Sequence, residues 1–306
     1  MRSPTQRDLD LRTIDAMLSP ALGTSVVQAA ELSGGGFAAV WRATLADGRS
    51  VVVKVGPPED ARLLRYERDL IPAEARYFRL VREAAPVPEV LHLGDGWIVT
   101  SLLPGRSLTE VPDAAAVREE LGRAIARVHT IEGRIFGYDG NRPSGRDWPE
   151  AFTAIMAALV ADAADWDVPL PPGILDAVER HRAVLASVTR PALLHFDLWD
   201  GNVLTEDGRL TGLVDGERHL YGDPLLDLVS PALFRRIEDE PDHPFLRGYA
   251  TTTGLEIDDA ARTRLTLYRL HLYTLMVTEC PSRGVPVGHE WHARMTGMLT
   301  EELKRL

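Results

Sequence analysis

Three apolar-rich stretches open the chain with the short alternation of strands: "SVVQAAEL" (25–32), "FAAVWRATL" (37–45) and "SVVVKV" (50–55). "SGGG" (33–36) and "ADGRS" (46–50) separate them, the second with an Asp-Gly hairpin signal. Residues 6–18 alternate like a short amphipathic helix. From 57 to 84 the apolar spacing turns helical, with Pro72 at a fresh start. "PEVLHL" and "GWIVTSLL" read as two more strands across Asp95-Gly96. After "PGRSL" the spacing is helical over 113–129, 148–163, 173–188, 224–236, 258–279 and 288–305. One short strand pair, 203–206 and 210–214, interrupts it around Asp207-Gly208. A β-rich part thus precedes an α-rich part. This predicts an α+β fold of two lobes, 1–103 and 104–306, hinged at 102–106.

Composition narrows the class. A chain of 306 residues is long for one small core, which agrees with two lobes around a cleft. A net charge of −11 argues against nucleic acid as the main partner and is compatible with a cationic small molecule. No apolar run reaches the length of a membrane span, and the N-terminus lacks the apolar core of a signal peptide. The single cysteine, Cys280, excludes an internal disulfide. The expectation is a cytoplasmic protein without a membrane partner. Of 34 basic residues only Lys54 and Lys304 are lysines, so a lysine inside a predicted strand stands out.

The chemistry concentrates in "LLHFDLWDGNVL" (193–204). His195, Asp197 and Asn202 follow the H-x-D-L-x-x-x-N spacing of a kinase catalytic loop. Phosphoryl transfer needs a carboxylate to orient and deprotonate the attacking hydroxyl, the role suited to Asp197. It also needs oxygen ligands for magnesium, a role suited to Asn202. Asp215 ends the next strand and is positioned as a second magnesium ligand. His195 is expected to brace the loop. Upstream, Gly34, Gly35 and Gly36 let the backbone approach phosphates. Lys54 can pair with the α- and β-phosphates if a glutamate holds it. Glu67 and Glu74 compete for that task, and Glu74, on the helix resuming at Pro72, is preferred. The backbone near Ser101 and Leu103 would contact the base.

These motifs together resemble the aminoglycoside phosphotransferase and fructosamine kinase superfamily, the small-molecule branch of the protein-kinase-like fold. The resemblance runs from about Leu32 to Val229. It implies ATP or GTP, Mg2+ and transfer of phosphate to a small-molecule hydroxyl. "YGDPLLDLV" matches the superfamily's later element, in which Asp227 supports the catalytic loop. Trp199 is similar to the tryptophan of the fructosamine kinases. Trp199, Asp200 and Glu217 are the candidate substrate contacts, and the acidic run 238–242 is positioned to meet a polycation. Two departures stand out. Phe196 replaces a usual glycine, and Gly216 follows Asp215 where an aromatic is usual. Only six residues separate Asp215 from Gly222, too few for the activation loop of a protein kinase. Retention of Asp197, Asn202 and Asp215 argues for an enzyme over a silent nucleotide-binding pseudokinase. The acceptor expected is an aminoglycoside-like or other amino-sugar compound, with antibiotic resistance as one outcome. A fructosamine or metabolite kinase is the alternative.

Overall fold

A computed structural model describes residues 3–32 and 35–306. α1 (Leu11–Leu22) lies against β1 (Val26–Glu31). β2 (Ala39–Leu45), β3 (Ser50–Val55), α2 (Leu70–Val81), β4 (Val90–Gly94) and β5 (Trp97–Ser101) follow. The strands form one antiparallel sheet in the order β1-β2-β3-β5-β4. Alternation decides its two faces. Val51, Val53 and Val55 join Ala39, Trp41, Ala43 and α1 in one core, while Ile98 joins the larger core that contains α2.

The chain then passes Gly105 (φ 100°) into β6 (Arg106–Ser107). A Cβ at Gly105 would stand 2.5 Å from the Thr205 carbonyl oxygen, so only glycine lets the connection cross there. α3 (Ala115–Val128), β7 (Phe136–Gly137), β8 (Ser144–Gly145), α4 (Trp148–Asp165), α5 (Ile174–Arg180), α6 (Arg182–Leu185) and β9 (Ala192–Leu194) come next. β10 (Val203–Glu206), β11 (Arg209–Leu213), β12 (Leu220–Gly222), α7 (Pro244–Thr253), α8 (Asp259–Glu279) and α9 (Glu290–Arg305) complete the chain. Two small sheets, β11-β10-β6 and β8-β7-β12-β9, hold the stretch 195–202 at its two ends. The result is the expected α+β, kinase-like arrangement of a β-rich lobe and a mainly helical lobe. No helix among the described residues is long and apolar enough to cross a membrane.

Three helical expectations are corrected. Residues 57–69 are irregular except for a 3-10 turn at Arg65–Glu67. Side-chain carboxylates capture amides that a helix would need: Glu67 accepts from Leu64 N at 2.8 Å, and Asp162 from Arg65 N at 2.9 Å. Residues 224–236 form only a 3-10 turn, Pro224–Leu228, and Phe234 (φ 67°) reverses the backbone beyond it. The stretch 173–188 is broken at His181 into α5 and α6. α7 was not anticipated.

Candidate active site

Lys54 sits on β3 between Val40 of β2 and Ile98 of β5 in register. Its ammonium lies 3.1 Å from Glu74, 2.9 Å from Asp215 and 3.0 Å from Glu217. Glu74, on α2, is therefore the glutamate that holds Lys54. Glu67 is turned elsewhere, onto Arg283 and the Leu64 amide. Glu217, expected at the substrate wall, is instead buried on Lys54. Asp215 adopts the left-handed conformation (φ 58°) and starts a one-turn 3-10 helix, Gly216–Arg218. That turn folds Glu217 back beside Asp215.

Three carboxylates thus share one ammonium. Their oxygens lie within 4.8 Å of one another, a hard-oxygen donor set that fits a divalent cation. Burial works against the charge on Lys54, but Asp215, Glu217 and Glu74 outweigh it and raise its pKa well above the usual value. Burial dominates at Glu74. It pushes that carboxyl up to about 8, Lys54 opposing and the two neighbouring carboxylates assisting. Burial also works to raise Asp215, but Lys54 prevails and holds it below the usual carboxylate range.

The loop 195–202 is fastened from three sides. His195 Nε2 donates to the Val214 carbonyl at 3.1 Å. Its Nδ1 then accepts from the Asp197 amide at 3.3 Å. Asp227, fully buried, accepts from the amides of His195 (2.8 Å) and Phe196 (2.6 Å) and from His129 Nε2 (3.0 Å). Ser230 adds a third fastening that the sequence did not flag. Its hydroxyl accepts from the Leu198 amide and donates to the Phe196 carbonyl. Asn202 is buried, and its amide group donates to the Asp197 carbonyl at 2.9 Å. This keeps Asn202 and Asp197 in one rigid turn.

Both departures have a local reason. Phe196 takes the positive φ (73°) that glycine would supply, and Asp227 holds it there. A Cβ at Gly216 would meet the Tyr77 ring at 2.2 Å, so Tyr77 of α2 occupies the space of an aromatic at 216.

Burial raises the pKa of Asp197, and the nearest cation, Arg218, eases it back; their closest approach is 4.0 Å. Arg218 also pairs with Glu279 at 3.0 Å and lies over the Tyr66 ring. Arg283 joins the same Glu279 and stacks over Phe37, beside Gly36. None of Arg218, Tyr66, Glu279 and Arg283 was legible as a site residue. The signal lies in contacts up to 217 residues apart.

The remaining candidates are scattered around this centre. Gly35 and Gly36 are exposed, and their carbonyls accept from Gln6 and Thr5. Gly34 lies outside the described residues. Ser101 donates its amide to the Glu89 carbonyl, and its hydroxyl oxygen accepts from the Glu89 amide. Leu103 packs against Gly212 of β11. Trp199 is exposed, with its indole laid over Gly201, and Asp200 is ion-paired to Arg118. In the acidic run, Glu238 is buried on Arg269, Asp239 pairs with Arg262, and Glu240 pairs with Arg235.

A lysine held by a glutamate, an Asp-to-Asn loop and an aspartate just past a strand end that meets the lysine are the features of a kinase-like phosphotransferase. A family model described as "Phosphotransferase enzyme family" matches residues 29–265, and the chain belongs to that family. It is 22% identical over 272 residues to "Probable ketoamine kinase" of Lactiplantibacillus plantarum, covering 81% of this chain and 87% of that protein. Among solved structures it is similar to "putative fructosamine-3-kinase" of Thermobifida fusca. The TM-score there is 0.71 at 25% identity, over 97% of this chain and 100% of that one. It also shares the fold of an aminoglycoside phosphotransferase APH(4)-Ia mutant crystallised with ADP and hygromycin B. The TM-score is 0.65 at 19% identity, over 95% and 98% of the two chains.

Proposed function

We propose that this phosphotransferase moves the γ-phosphate of ATP, or of GTP, to a hydroxyl of a ketoamine or similar amino sugar. The observation that carries the reading is the meeting of Lys54 and Asp215 at 2.9 Å, 161 residues apart in the chain, beside the loop that presents Asp197. Residues 1–103 form the nucleotide-binding lobe in this reading, and 104–306 the catalytic and substrate lobe. Lys54, oriented by Glu74, binds the phosphates beneath Gly35 and Gly36, with Leu103 against the base. Asn202 and Asp215, joined by Glu217, would hold magnesium, which supplies charge neutralisation at the triphosphate when bound. Asp197 accepts the proton of the acceptor hydroxyl.

The pairing of Glu238, Asp239 and Glu240 with arginines favours a singly charged sugar amine over a polycation. Their charge is already spent within the protein. Trp199, exposed beside Asp200, offers a flat apolar face for a sugar ring. Likeness to the APH(4)-Ia fold keeps the aminoglycoside acceptor as the second reading. A panel of ketoamines, amino sugars and aminoglycosides, incubated with ATP or GTP and with or without magnesium, tests this by nucleoside diphosphate release. Phosphorylation of a ketoamine supports the proposal. Turnover restricted to aminoglycosides would replace the acceptor assignment.

A further inference from the structure

We propose that Arg218 is a catalytic residue, a built-in guanidinium that touches the phosphoryl group in flight; the assignment rests on the kinase reading above. Arg218 is the last residue of the 3-10 turn that begins after Asp215 and places Glu217 on Lys54. It therefore starts at the phosphate side of the cleft. Its guanidinium reaches the other side, where Nε lies 4.0 Å from the Asp197 carboxylate. That gap is too long for a hydrogen bond, so Arg218 does not fasten Asp197. Nε is buried and has no hydrogen-bond partner.

What holds the side chain lies behind it. Nη2 pairs with Glu279 at 3.0 Å, and the guanidinium stacks on Tyr66. Glu279 is held in turn by Arg283 and the Tyr66 hydroxyl. Arg283 lies under the glycine turn, where a Cβ on Gly36 would be 3.3 Å from its Cδ. The series Asp197, Arg218, Glu279, Arg283, Gly36 thus runs from the catalytic loop to the glycine turn. The transferred group must cross the same interval. An unpaired donor beside that interval, with its other end anchored on a buried carboxylate, is preorganised for charge that develops during transfer.

In that step the acceptor oxygen forms a bond to the γ-phosphorus and its proton passes to Asp197. The bond from phosphorus to the β–γ bridging oxygen breaks, and the electron pair leaves with the nucleoside diphosphate. Arg218 makes and breaks no covalent bond. It donates Nε–H to a phosphoryl oxygen, as an arginine finger does in other phosphoryl-transfer enzymes.

The test compares wild type, Arg218→Ala and Arg218→Lys in the full chain. Three readouts are taken: phosphoryl transfer to an accepted sugar, slow hydrolysis of ATP with water as acceptor, and ADP affinity by calorimetry. Arg218→Ala is expected to lower kcat for both acceptors by about 10²-fold or more, with ADP affinity changed only a few-fold. Guanidinium ion at non-denaturing concentration should restore part of that loss. If Arg218→Ala does not fold, Arg218→Lys decides, since an ammonium does not reproduce the fork geometry. Wild-type turnover in Arg218→Lys would then overturn the proposal. So would a loss confined to the KM of the sugar with ATP hydrolysis intact, which would make Arg218 an acceptor contact. Wild-type protein that neither binds nor turns over ATP or GTP would overturn the kinase reading itself, and this assignment with it.

Discussion

Asp227 accepts the backbone amide of Phe196 at 2.6 Å and so holds a phenylalanine at φ 73°, a conformation most side chains avoid. The same carboxylate takes the His195 amide and His129, and it is fully buried. The conformation of the loop that carries Asp197 therefore depends on a fully buried carboxylate. Asp227→Asn keeps the volume but replaces an acceptor oxygen with a donor facing an amide. It should destabilise the fold by about 2–4 kcal/mol, the scale for breaking a buried charge-assisted network. Thermal unfolding checks this. A variant as stable as wild type would show that the loop does not need the carboxylate. Phe196→Gly would relieve about 1 kcal/mol of left-handed strain yet lose a buried ring worth about 3 kcal/mol or more, so it too should unfold earlier.

Lys54 gathers Glu74, Asp215 and Glu217, whereas Glu67 serves Arg283. Lys54→Ala and Asp215→Ala should each cut turnover on the order of 10³-fold while the far-ultraviolet spectrum stays native. Glu74→Ala should cost less, because Glu74 only orients Lys54. Glu67→Ala should appear mainly in thermal stability, as it releases Arg283 and the Leu64 amide. Steady-state kinetics and melting curves on all four variants separate these effects. Greater damage to turnover from Glu67→Ala than from Glu74→Ala would contradict the pairing.

The parts of this site legible in the sequence are those in which function fixes local spacing. His195, Asp197 and Asn202 fall within one turn, and Lys54 stands out in a chain that otherwise uses arginine almost throughout. The strands around them followed from alternation and Asp-Gly turns. Long-range polar capture was not legible. Residues 57–69 have helical spacing, but Glu67 and Asp162 take the amides. Nothing in "VDGER" shows the left-handed turn at Asp215 that buries Glu217 on Lys54. Arg218, Glu279 and Arg283 form a connected group only because α8 ends beside the catalytic loop. No periodicity encodes that meeting.

Asp197 and Asp200 are three residues apart, but their surroundings differ. Asp197 faces Arg218 across 4.0 Å and shares a turn with Asn202, while Asp200 is ion-paired to Arg118. Asp197→Asn cannot accept a proton and should lose turnover by at least about 10²-fold with nucleotide affinity retained. Asp200→Asn should raise the acceptor KM more than it lowers kcat. Kinetics on both variants, with nucleotide affinity measured in parallel, provide the check. Normal turnover in Asp197→Asn together with a dead Asp200→Asn would shift the register of the loop and remove Asn202 from the metal site.

His271 of α8 packs its ring 5.0 Å from that of Phe196 and 5.9 Å from that of Phe152, and neither ring nitrogen has a hydrogen-bond partner. Burial pushes its pKa down to about 3, and the positive charge of Arg218 acts in the same direction. The folded protein therefore keeps this imidazole neutral where the unfolded chain, titrating near 6.5, would take up a proton. Because the folded value is the lower one, unfolding binds a proton between the two. The stabilising contribution is complete above about pH 6.5 and is lost as pH falls toward 3, at up to about 1.4 kcal/mol per pH unit. His219, lowered to about 4 mainly by burial, acts in the same sense. His271→Leu removes only the first of these titrations. Urea unfolding at pH 7.5 and pH 5 should then show wild type losing about 2 kcal/mol more than His271→Leu over that interval. Equal losses in the two proteins would mean that His271 is already solvated or hydrogen-bonded, and that acid weakens the packing behind Phe196 by another route.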